Sequence, residues 1–397
     1  MTFYRDRAAL AAARRPSRRH FLALGAAAAL GAGLGLPARA AASSLRLLAP
    51  EAYGDKALLA ALGGDGPPLV HVPLADDDQA LSPLRPLGPT ASAAEKAARP
   101  ALVVTAHPFP RGILWPEGVI DPLGKDDPAN ASPTNILPGL TPTTATLESG
   151  FEGRYRVGIA TRFDLAAVAI DRRRVSAAAV GDLGLAVLDD PALNGRYGLL
   201  ADPRCLLASA MLYAGLDPFR LQLPSELRRF EAALDRFVGQ AALVTPSADE
   251  LVAALVDGRI DAALPCGLRH IARARLDGKG DLALAIPRRG PLAGRAAFYW
   301  LEMISLAAQP KPIGQALEIM GRVRGAAVAA ALARAGGGLA PAVGLLDPAN
   351  AGALEAAERR ALGLDDLAGL MPLAVPMALV PERHRLQPLL DKALKPK

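Results

Sequence analysis

The sequence has 397 residues, of which 51% are hydrophobic and 21% are charged. This composition is typical of a folded globular protein and excludes a largely disordered chain. The length is sufficient for one large domain or for two lobes of ordinary size. The formal net charge is +6, but residues 1–40 alone contain seven arginines and one aspartate. The remaining chain is therefore electrically neutral, which argues against nucleic acid as a partner, because that function requires a basic surface.

The first 40 residues have the three parts of an export signal. Residues 17–22 (SRRHFL) resemble the twin-arginine motif, residues 21–36 form an uncharged run rich in Ala and Gly, and Ala38 and Ala40 are small residues suited to signal-peptidase cleavage. The uncharged run is shorter than the ~20 residues that span a bilayer. We predict that residues 1–40 are a removable twin-arginine signal peptide, with an uncleaved anchor as the alternative. The mature protein would then be periplasmic, after handling by the twin-arginine translocase and signal peptidase.

The pattern after the leader predicts strands and helices in alternation. Residues 45–48 predict a short strand, residues 56–62 a helix, and residues 101–105 a buried strand. Residues 108–150 are rich in Pro, Asn, Thr and Asp with little periodicity, which indicates either a functional surface or a loose excursion. Residues 155–170 return to a strand-like composition.

A helix followed by a strand is predicted for residues 246–264. Ser247 and Glu250 have the spacing of a capping box, Gly258 ends the helix, and residues 260–264 read as a strand. The apolar face of this helix is formed by Leu251, Val252, Leu255 and Val256. Helices that alternate with short buried strands indicate an α/β fold with a mostly parallel sheet. Residues 325–346 are apolar too, but their glycines and Pro341 indicate a packed helix and a turn.

Signals of catalysis are absent or weak. The chain contains no GxSxG, Walker, GxGxxG or HExxH motif. The four histidines after the leader are scattered singly, so we expect surface or satisfied core residues and no metal site. These histidines are His71, His107, His270 and His384. We expect no cofactor.

Four stretches of the chain, in order, resemble one family. Residues 45–62 (LRLLAPEAYGDKALLAAL) read as a strand, a turn with an acid and a tyrosine, and a helix. Residues 188–218 are the most specific stretch, with a strand, an Asp-x-Arg turn and a helix that ends in Gly-Leu. Residues 256–274 and 286–312 also match, the latter with a Trp-x-acid triplet. Together they resemble the periplasmic solute-binding proteins of ABC transporters, in the spermidine/putrescine group.

The resemblance implies a type II periplasmic-binding-protein fold with two α/β lobes, each a mostly parallel sheet flanked by helices, joined by hinge strands. Lobe 1 would comprise residues 43–157 and 300–345, and lobe 2 would comprise residues 158–299 and 346–397. It also implies a monomeric receptor without enzymatic activity. Such a receptor binds a small solute in the cleft between its lobes. It then delivers the solute to an ABC permease in the inner membrane.

The resemblance also implies which residues contact the ligand. Tyr53, Asp202 and Trp300 match a cleft tyrosine, a cleft aspartate and a stacking tryptophan, and Glu302 replaces a second aspartate. Cys205 and Cys266 stand where the family has a glutamate and a tryptophan. Carboxylates pair with ammonium groups and aromatic faces cover methylene chains, so these residues predict a small, cationic, amine-bearing ligand. The family pattern is not kept at Pro50, Ala52 and Leu339.

Other interpretations of the same residues stay open. Trp300 lies in an aromatic cluster that can be core, Asp202 precedes Pro203 and can cap a helix, and Tyr53 can be a turn residue. The two cysteines can form a disulfide in an oxidising compartment, or be two buried thiols. Two further functions remain as alternatives. One is a periplasmic enzyme that uses a cleft thiol beside His270, and the other is a degenerate receptor that acts as a sensor.

The leader gives a direct prediction about export. Replacing both Arg18 and Arg19 with Lys keeps the charge but removes the twin-arginine pair, so precursor should accumulate in the cytoplasm. Cell fractionation and immunoblotting measure the ratio of precursor to mature protein in each compartment. The matched control replaces Arg14 and Arg15, which lie outside the motif. Efficient delivery of mature-length protein to the periplasm by the Arg18, Arg19 variant would show that the twin-arginine assignment is wrong.

Overall fold

The computed structural model describes residues 44–124, 155–310 and 312–395, and this part of the chain alternates strands with helices. The strands are β1 (Leu45–Ala49), β2 (Leu69–Pro73), β3 (Leu102–Ala106), β4 (Ile120–Asp121), β5 (Leu123–Gly124), β6 (Tyr155–Arg156), β7 (Ile159–Asp171), β8 (Tyr197–Leu200), β9 (Leu243–Thr245), β10 (Ala262–Cys266), β11 (Leu282–Ala285), β12 (Phe298–Ala307) and β13 (Val375–Pro376). The helices are α1 (Lys56–Gly63), α2 (Leu81–Leu84), α3 (Ala93–Ala98), α4 (Ala177–Leu183), α5 (Leu206–Tyr213), α6 (Pro224–Gly239), α7 (Ala248–Val256), α8 (Leu268–Leu276), α9 (Ile313–Arg322), α10 (Ala326–Arg334), α11 (Ala356–Ala361), α12 (Leu367–Leu370) and α13 (Arg383–Ala393). The predicted leader and residues 125–150 of the Pro-rich segment lie outside the described residues.

Two long strands, β7 and β12, form the centre of the main sheet and run antiparallel to each other. The strand order is β2-β1-β3-β12-β7-β10-β8-β9. At one flank β1 is parallel to β2 and β3, and at the other β8 is parallel to β9 and β10. The predicted α/β class is confirmed. The predicted parallel pairing holds within each flank, whereas β7 and β12 are antiparallel to the flanking strands β10 and β3.

The composition of the two central strands explains why they lie at the centre. All 13 residues of β7 and all 10 residues of β12 are buried. A strand that is apolar on both faces needs cover from other elements on each side, which a mixed α/β architecture supplies. Within these strands the buried charged residues are Arg162, Asp164, Asp171 and Glu302. Buried charges require partners, so the partners of these residues organise the site described below.

The predicted elements are confirmed with small shifts of their ends. The strands predicted at residues 45–48, 101–105 and 155–170 correspond to β1, β3 and β7, and α1 follows β1 as predicted. The Oγ of Ser247 accepts from the backbone N of Glu250 at 3.2 Å and caps α7. The strand predicted from residue 260 begins at Ala262, because the backbone N of Ile260 still bonds to Ala254 in the turn that ends α7.

Residues 325–346 form a packed helix and a turn, as predicted. The helix α10 is followed by a glycine turn in which Gly336 and Gly337 have φ of +75° and +74°. That region of backbone conformation favours glycine. Within the described ranges, no helix has both the length and the apolar character that a membrane span needs. The predicted lobe boundaries near residues 157 and 300 fall just before β7 and inside β12, and they stay a prediction.

The histidine at the end of β3 is held as a neutral ring. The backbone N of His107 donates to Leu301 O at 2.8 Å, and its Nδ1 accepts from the backbone N of Leu301 at 3.2 Å. Burial lowers the pKa of His107 to about 4, although a hydrogen bond with the backbone of Met377 opposes this shift. Protonation of Nδ1 would direct an N–H at the N–H of Leu301. The neutral tautomer is therefore the one that fits.

This arrangement predicts a loss of stability in acid. A histidine whose folded pKa is depressed contributes stability that is complete above about pH 6.5 and is lost as the pH falls towards 4. The loss from His107 should reach about 3 kcal/mol. In His107→Gln the free energy of unfolding, measured with urea across this pH window, should fall less steeply than in the parent protein. His384→Gln, at an exposed position, is the control. Identical slopes for the parent and His107→Gln would contradict the prediction.

Candidate functional site

A cavity of 420 Å³ lies where several parallel strands end. Residues that line it follow the carboxyl ends of β1, β2, β8, β9 and β10, so both flanks of the sheet contribute. Ligands in open α/β sheets bind at this edge, outside the carboxyl ends of the strands. The charged residues that line the cavity are Asp76, Asp77, Arg162, Asp202, Arg204, Asp249, Arg269, Arg273 and Glu302.

Four side chains at alternate positions of β7 and β12 lie at one side of the site, and two of them, Arg162 and Glu302, line the cavity. Arg162 and Asp164 are two residues apart on β7, and Trp300 and Glu302 are two residues apart on β12. Residues at i and i+2 of a strand share one face. Asp164 lies opposite Trp300 in the register, and Nε of Arg162 donates to Oε2 of Glu302 at 2.7 Å. The pairing of the two strands thus brings these four side chains to the same face.

Glu302 is 1% exposed, and its side chain connects three separate parts of the chain. It accepts from Arg162, from the hydroxyl of Tyr53 at 3.0 Å, and from Nη1 of Arg204 at 3.3 Å. Burial raises the pKa of Glu302, but Arg162 and Arg204 outweigh burial and lower it to about 2. The carboxylate is therefore ionised, and its charge is compensated by arginines of the same chain.

Tyr53 supports Glu302 from the turn that follows β1. Its ring is buried, and its hydroxyl lies 2.6 Å from Oγ1 of Thr161 on β7. The guanidinium carbon of Arg162 is 4.8 Å from the centroid of the Tyr53 ring. Burial raises the pKa of Tyr53 far above its ordinary value, so the hydroxyl remains a donor. Tyr53 therefore helps to hold the Arg162–Glu302 pair in place.

Arg204 connects elements from both flanks of the sheet. It lies in the turn after β8, and its Nε and Nη2 donate to the two carboxylate oxygens of Asp77 at 3.0 and 3.2 Å. Asp77 lies in the turn after β2 and also accepts from the backbone N of Ala106 at 3.2 Å. Such a two-point pair is among the stronger and more directional ion pairs in proteins. Together with its bond to Glu302, Arg204 joins three parts of the chain around the cavity.

Asp202 has two roles, one on each carboxylate oxygen. Oδ1 accepts from the backbone N of Arg204 at 2.8 Å and of Cys205 at 2.9 Å, which is the capping role considered from the sequence. Oδ2 accepts from Nη2 of Arg269 at 3.4 Å, and Asp202 lines the cavity. Burial raises the pKa of Asp202, but Arg269 and then Arg204 outweigh it and hold the pKa below its ordinary value. An ionised carboxylate is thus present on the cavity wall.

Asp164 and Arg269 meet at the start of α8. Asp164 is fully buried and accepts from the backbone N of Leu268 at 2.7 Å and of Arg269 at 3.1 Å. A carboxylate from a neighbouring strand therefore caps this helix, where the helix dipole favours negative charge. Burial raises the pKa of Asp164 to about 6, against the opposing effect of Arg269. This contact fixes the first turn of α8 and so positions Arg269 beside the cavity.

Trp300 is covered by arginines of its own chain. It is 2% exposed, and the guanidinium carbons of Arg204 and Arg269 lie 4.8 and 4.7 Å from its ring centroid. These distances are those of cation–π contacts. The resemblance assigned this ring to stacking on a ligand. In the structure the ring positions two guanidinium groups.

The two cysteines are both free and buried, and neither lines the cavity. Cys205 packs in a different apolar cluster from Cys266. Burial raises the pKa of Cys266 to about 12 and that of Cys205 well above its ordinary value. Because the thiolate is the reactive form, these environments oppose a nucleophilic role. The structure contains two separate thiols, not the disulfide considered from the sequence.

The six predicted site residues therefore divide into three pairs. Asp202 and Glu302 line the cavity, Tyr53 and Trp300 support charged residues that line it, and Cys205 and Cys266 are buried away from it. Sequence reasoning did not select the residues that most shape the cavity. These are Asp77, Arg162, Asp164, Arg204 and Arg269. A signal was available at two of them, since Arg162 and Asp164 are charged residues with a spacing of two inside a mostly apolar strand.

Solved structures with the same architecture are found, at low sequence identity. A chain assigned to a spermidine/putrescine ABC transporter of Listeria monocytogenes is 14% identical, with a TM-score of 0.61 over 88% of this chain and 98% of that chain. The substrate-binding protein PotD of Streptococcus pneumoniae, from its spermidine/putrescine ABC transporter, is 11% identical, with a TM-score of 0.58 over 89% and 99%. The fold is that of the type II periplasmic binding proteins. The type II fold predicted from the resemblance is thus confirmed.

Proteins of this type II fold take different ligands. The periplasmic binding protein MotA of A. tumefaciens B6 was solved in complex with glucopine and is 10% identical to this chain. Its TM-score is 0.56, with 89% of this chain and 100% of that chain covered. No protein-family model matches the sequence, and no curated protein matches it. The likeness therefore establishes the fold, and the ligand must be argued from the cavity.

The Glu302 network predicts a large stability effect. Glu302→Gln should lower the free energy of unfolding by about 3–5 kcal/mol, because Arg162 and Arg204 would keep buried charges without their carboxylate. Urea unfolding of purified protein that lacks residues 1–40 measures this loss. The control is Asp182→Asn, which removes a carboxylate from an exposed pair with Arg288 and should have little effect. Equal losses in the two variants would show that the Glu302 network does not carry this stability.

Proposed function

We propose that this protein is an exported solute-binding receptor of an ABC importer and not an enzyme. The observation that carries the proposal is the 420 Å³ cavity at the carboxyl ends of strands from both flanks of the sheet. Its volume lies in the range of pockets that hold small ligands. Several charged groups of its wall, among them Asp202, Arg204 and Glu302, are held in place by hydrogen bonds before any ligand binds, which reduces the entropic cost of binding.

The solute is small and bears an amine. Two carboxylates of the wall are placed to receive an ammonium group, because Asp202 and Asp249 both line the cavity and Asp249 has no ion-pair partner among the described residues. Glu302 is fully engaged by Tyr53, Arg162 and Arg204, so it orients the arginines and leaves the amine to Asp202 and Asp249. We therefore retain the prediction of a cationic, amine-bearing ligand, with Asp202 and Asp249 as the residues that pair with its ammonium group.

A receptor of an ABC importer has partners in transport and in export. The receptor is monomeric in the periplasm, and it presents its solute to an ABC permease of the inner membrane. Residues 1–40 support this location, because they have the form of a twin-arginine signal that the translocase and signal peptidase process. Among the described residues, no helix is both long enough and apolar enough to span a membrane.

One alternative has an observation in its favour. The carboxylates Asp77, Asp164, Asp202 and Glu302 each have an arginine of this chain within 4 Å, so much of the charge of the cavity is compensated internally. A degenerate receptor that acts as a sensor, without transporting a solute, would show the same compensation. Measurement of binding by the mature protein separates the two functions.

The receptor function predicts binding that depends on Asp202. Isothermal titration calorimetry of mature protein against amines and amino acids should detect a ligand, and Asp202→Asn should weaken its binding about tenfold or more. The control is Asp190→Asn. Like Asp202, Asp190 accepts a backbone N–H two residues along the chain, from Ala192, but it does not line the cavity.

The possible outcomes of this experiment are distinct. Binding that Asp202→Asn weakens and Asp190→Asn leaves unchanged supports the proposed receptor. If neither substitution changes the binding, the ligand binds outside this cavity. If no amine or amino acid binds, the receptor function is wrong, and the sensor alternative takes its place.

A further inference from the structure

Arg162 is a nearly buried cation with free donors at the cavity. Its side chain is 7% exposed, and it lines the cavity. Its only side-chain hydrogen bond among the described residues is the one from Nε to Glu302. The guanidinium group therefore has two terminal nitrogens without an acceptor in the described part of the chain. These nitrogens are not among the fully buried atoms that lack a partner, and Arg162 lines the cavity, so a ligand in the cavity can accept from them.

Arg269 offers a further donor on the same cavity. Its Nη2 donates to Asp202 at 3.4 Å, and its Nε lies 3.0 Å from Nε2 of His270, while Nη1 has no hydrogen-bond partner among the described residues. Its contact with Asp164 is long, at 3.7 Å. The ring of Trp300 and the turn that Asp164 caps both restrict where this guanidinium can lie. Arg269 is thus held beside the cavity with part of its hydrogen-bonding capacity unused.

The charge of the cavity wall also distinguishes between classes of ligand. Among the described residues, five carboxylates (Asp76, Asp77, Asp202, Asp249 and Glu302) and four guanidinium groups (Arg162, Arg204, Arg269 and Arg273) line it. A polyamine would add several positive charges to a wall that already has four. A solute with one amine and one acid group would leave this nearly even balance unchanged.

We infer that the solute bears a carboxylate, which the free nitrogens of Arg162 and Arg269 bind, in addition to the amine held by Asp202 and Asp249. This inference rests on the proposed receptor function and specifies the class of its solute, an amino acid or an aminoalkanoate. The planar fork of a guanidinium matches the two oxygens of a carboxylate, and Lys at the same position provides only a point charge. Glu302 and Asp164 position the two arginines and do not contact the solute.

A matched set of compounds tests this inference. Alkanediamines, aminoalkanoates and alkanedioates of equal chain length differ only in whether each end is an amine or an acid. Calorimetric titration of each into the mature protein gives its dissociation constant. We expect aminoalkanoates of at least one length to bind, and to bind more tightly than the diamine and the diacid of the same length. Inorganic phosphate is included to identify binding of any anion.

Two variants locate the carboxylate. Arg162→Lys keeps the charge beside Glu302 but removes the fork, and it should weaken aminoalkanoate binding about tenfold. Arg269→Gln should weaken the same binding without loss of the fold, since this side chain is 25% exposed. The control is Arg259→Lys, because Arg259 is exposed and lies outside the cavity. Circular dichroism and thermal unfolding verify that each variant is folded.

Every outcome decides between the two proposals. Aminoalkanoate binding that Arg162→Lys weakens supports both of them, and tighter binding of the diacid supports the carboxylate while contradicting the amine. Tighter binding of the diamine, unaffected by Arg162→Lys, would overturn the carboxylate inference and leave the receptor function intact. Phosphate binding equal to that of the aminoalkanoate would also overturn it, as a general anion site. Absence of binding by the entire set would overturn the inference, and only the further absence of binding by the amines and amino acids of the receptor test would contradict the receptor function.

Discussion

The buried carboxylate of Glu302 is the group on which the arrangement of the site depends. It lies in a strand whose ten residues are all buried, where an unpaired charge would be strongly unfavourable. Arg162 from the neighbouring strand and Arg204 from the turn after β8 compensate this charge, and Tyr53 donates a third hydrogen bond. Since these partners come from separate parts of the sequence, one carboxylate fixes the relative positions of β1, β7, β8 and β12.

Arg204 connects the Glu302 carboxylate to the edge of the cavity. By binding Asp77 through two nitrogens, it links the turn after β8 to the turn after β2. Trp300 contacts both Arg204 and Arg269, so an aromatic ring and two guanidinium groups form one assembly. The cavity is thus surrounded by charges whose positions are set by other charges. Such a wall is preorganised, and its selectivity depends on which donors and acceptors remain unused.

Much of the fold was predictable from the sequence, but only part of the site was. Strand β1, helix α1 and the capped helix α7 follow from local periodicity and from Ser247, because these features depend on neighbouring residues. The resemblance pointed to six residues, of which Asp202 and Glu302 line the cavity and Cys205 and Cys266 do not. Sequence position does not show which way a buried side chain points.

The sequence by itself determined the order of the elements, the neutral charge of residues 41–397, and the α/β class. It also contained the alternation of Arg162 and Asp164, which places both on one face of β7. Only the tertiary structure decided that Arg162, Arg204 and Arg269 meet at one cavity, since the partners of Glu302 are 98 and 140 residues away along the chain. The physical reason is that a buried charge needs compensation in space, and local sequence patterns do not specify which distant residue supplies it.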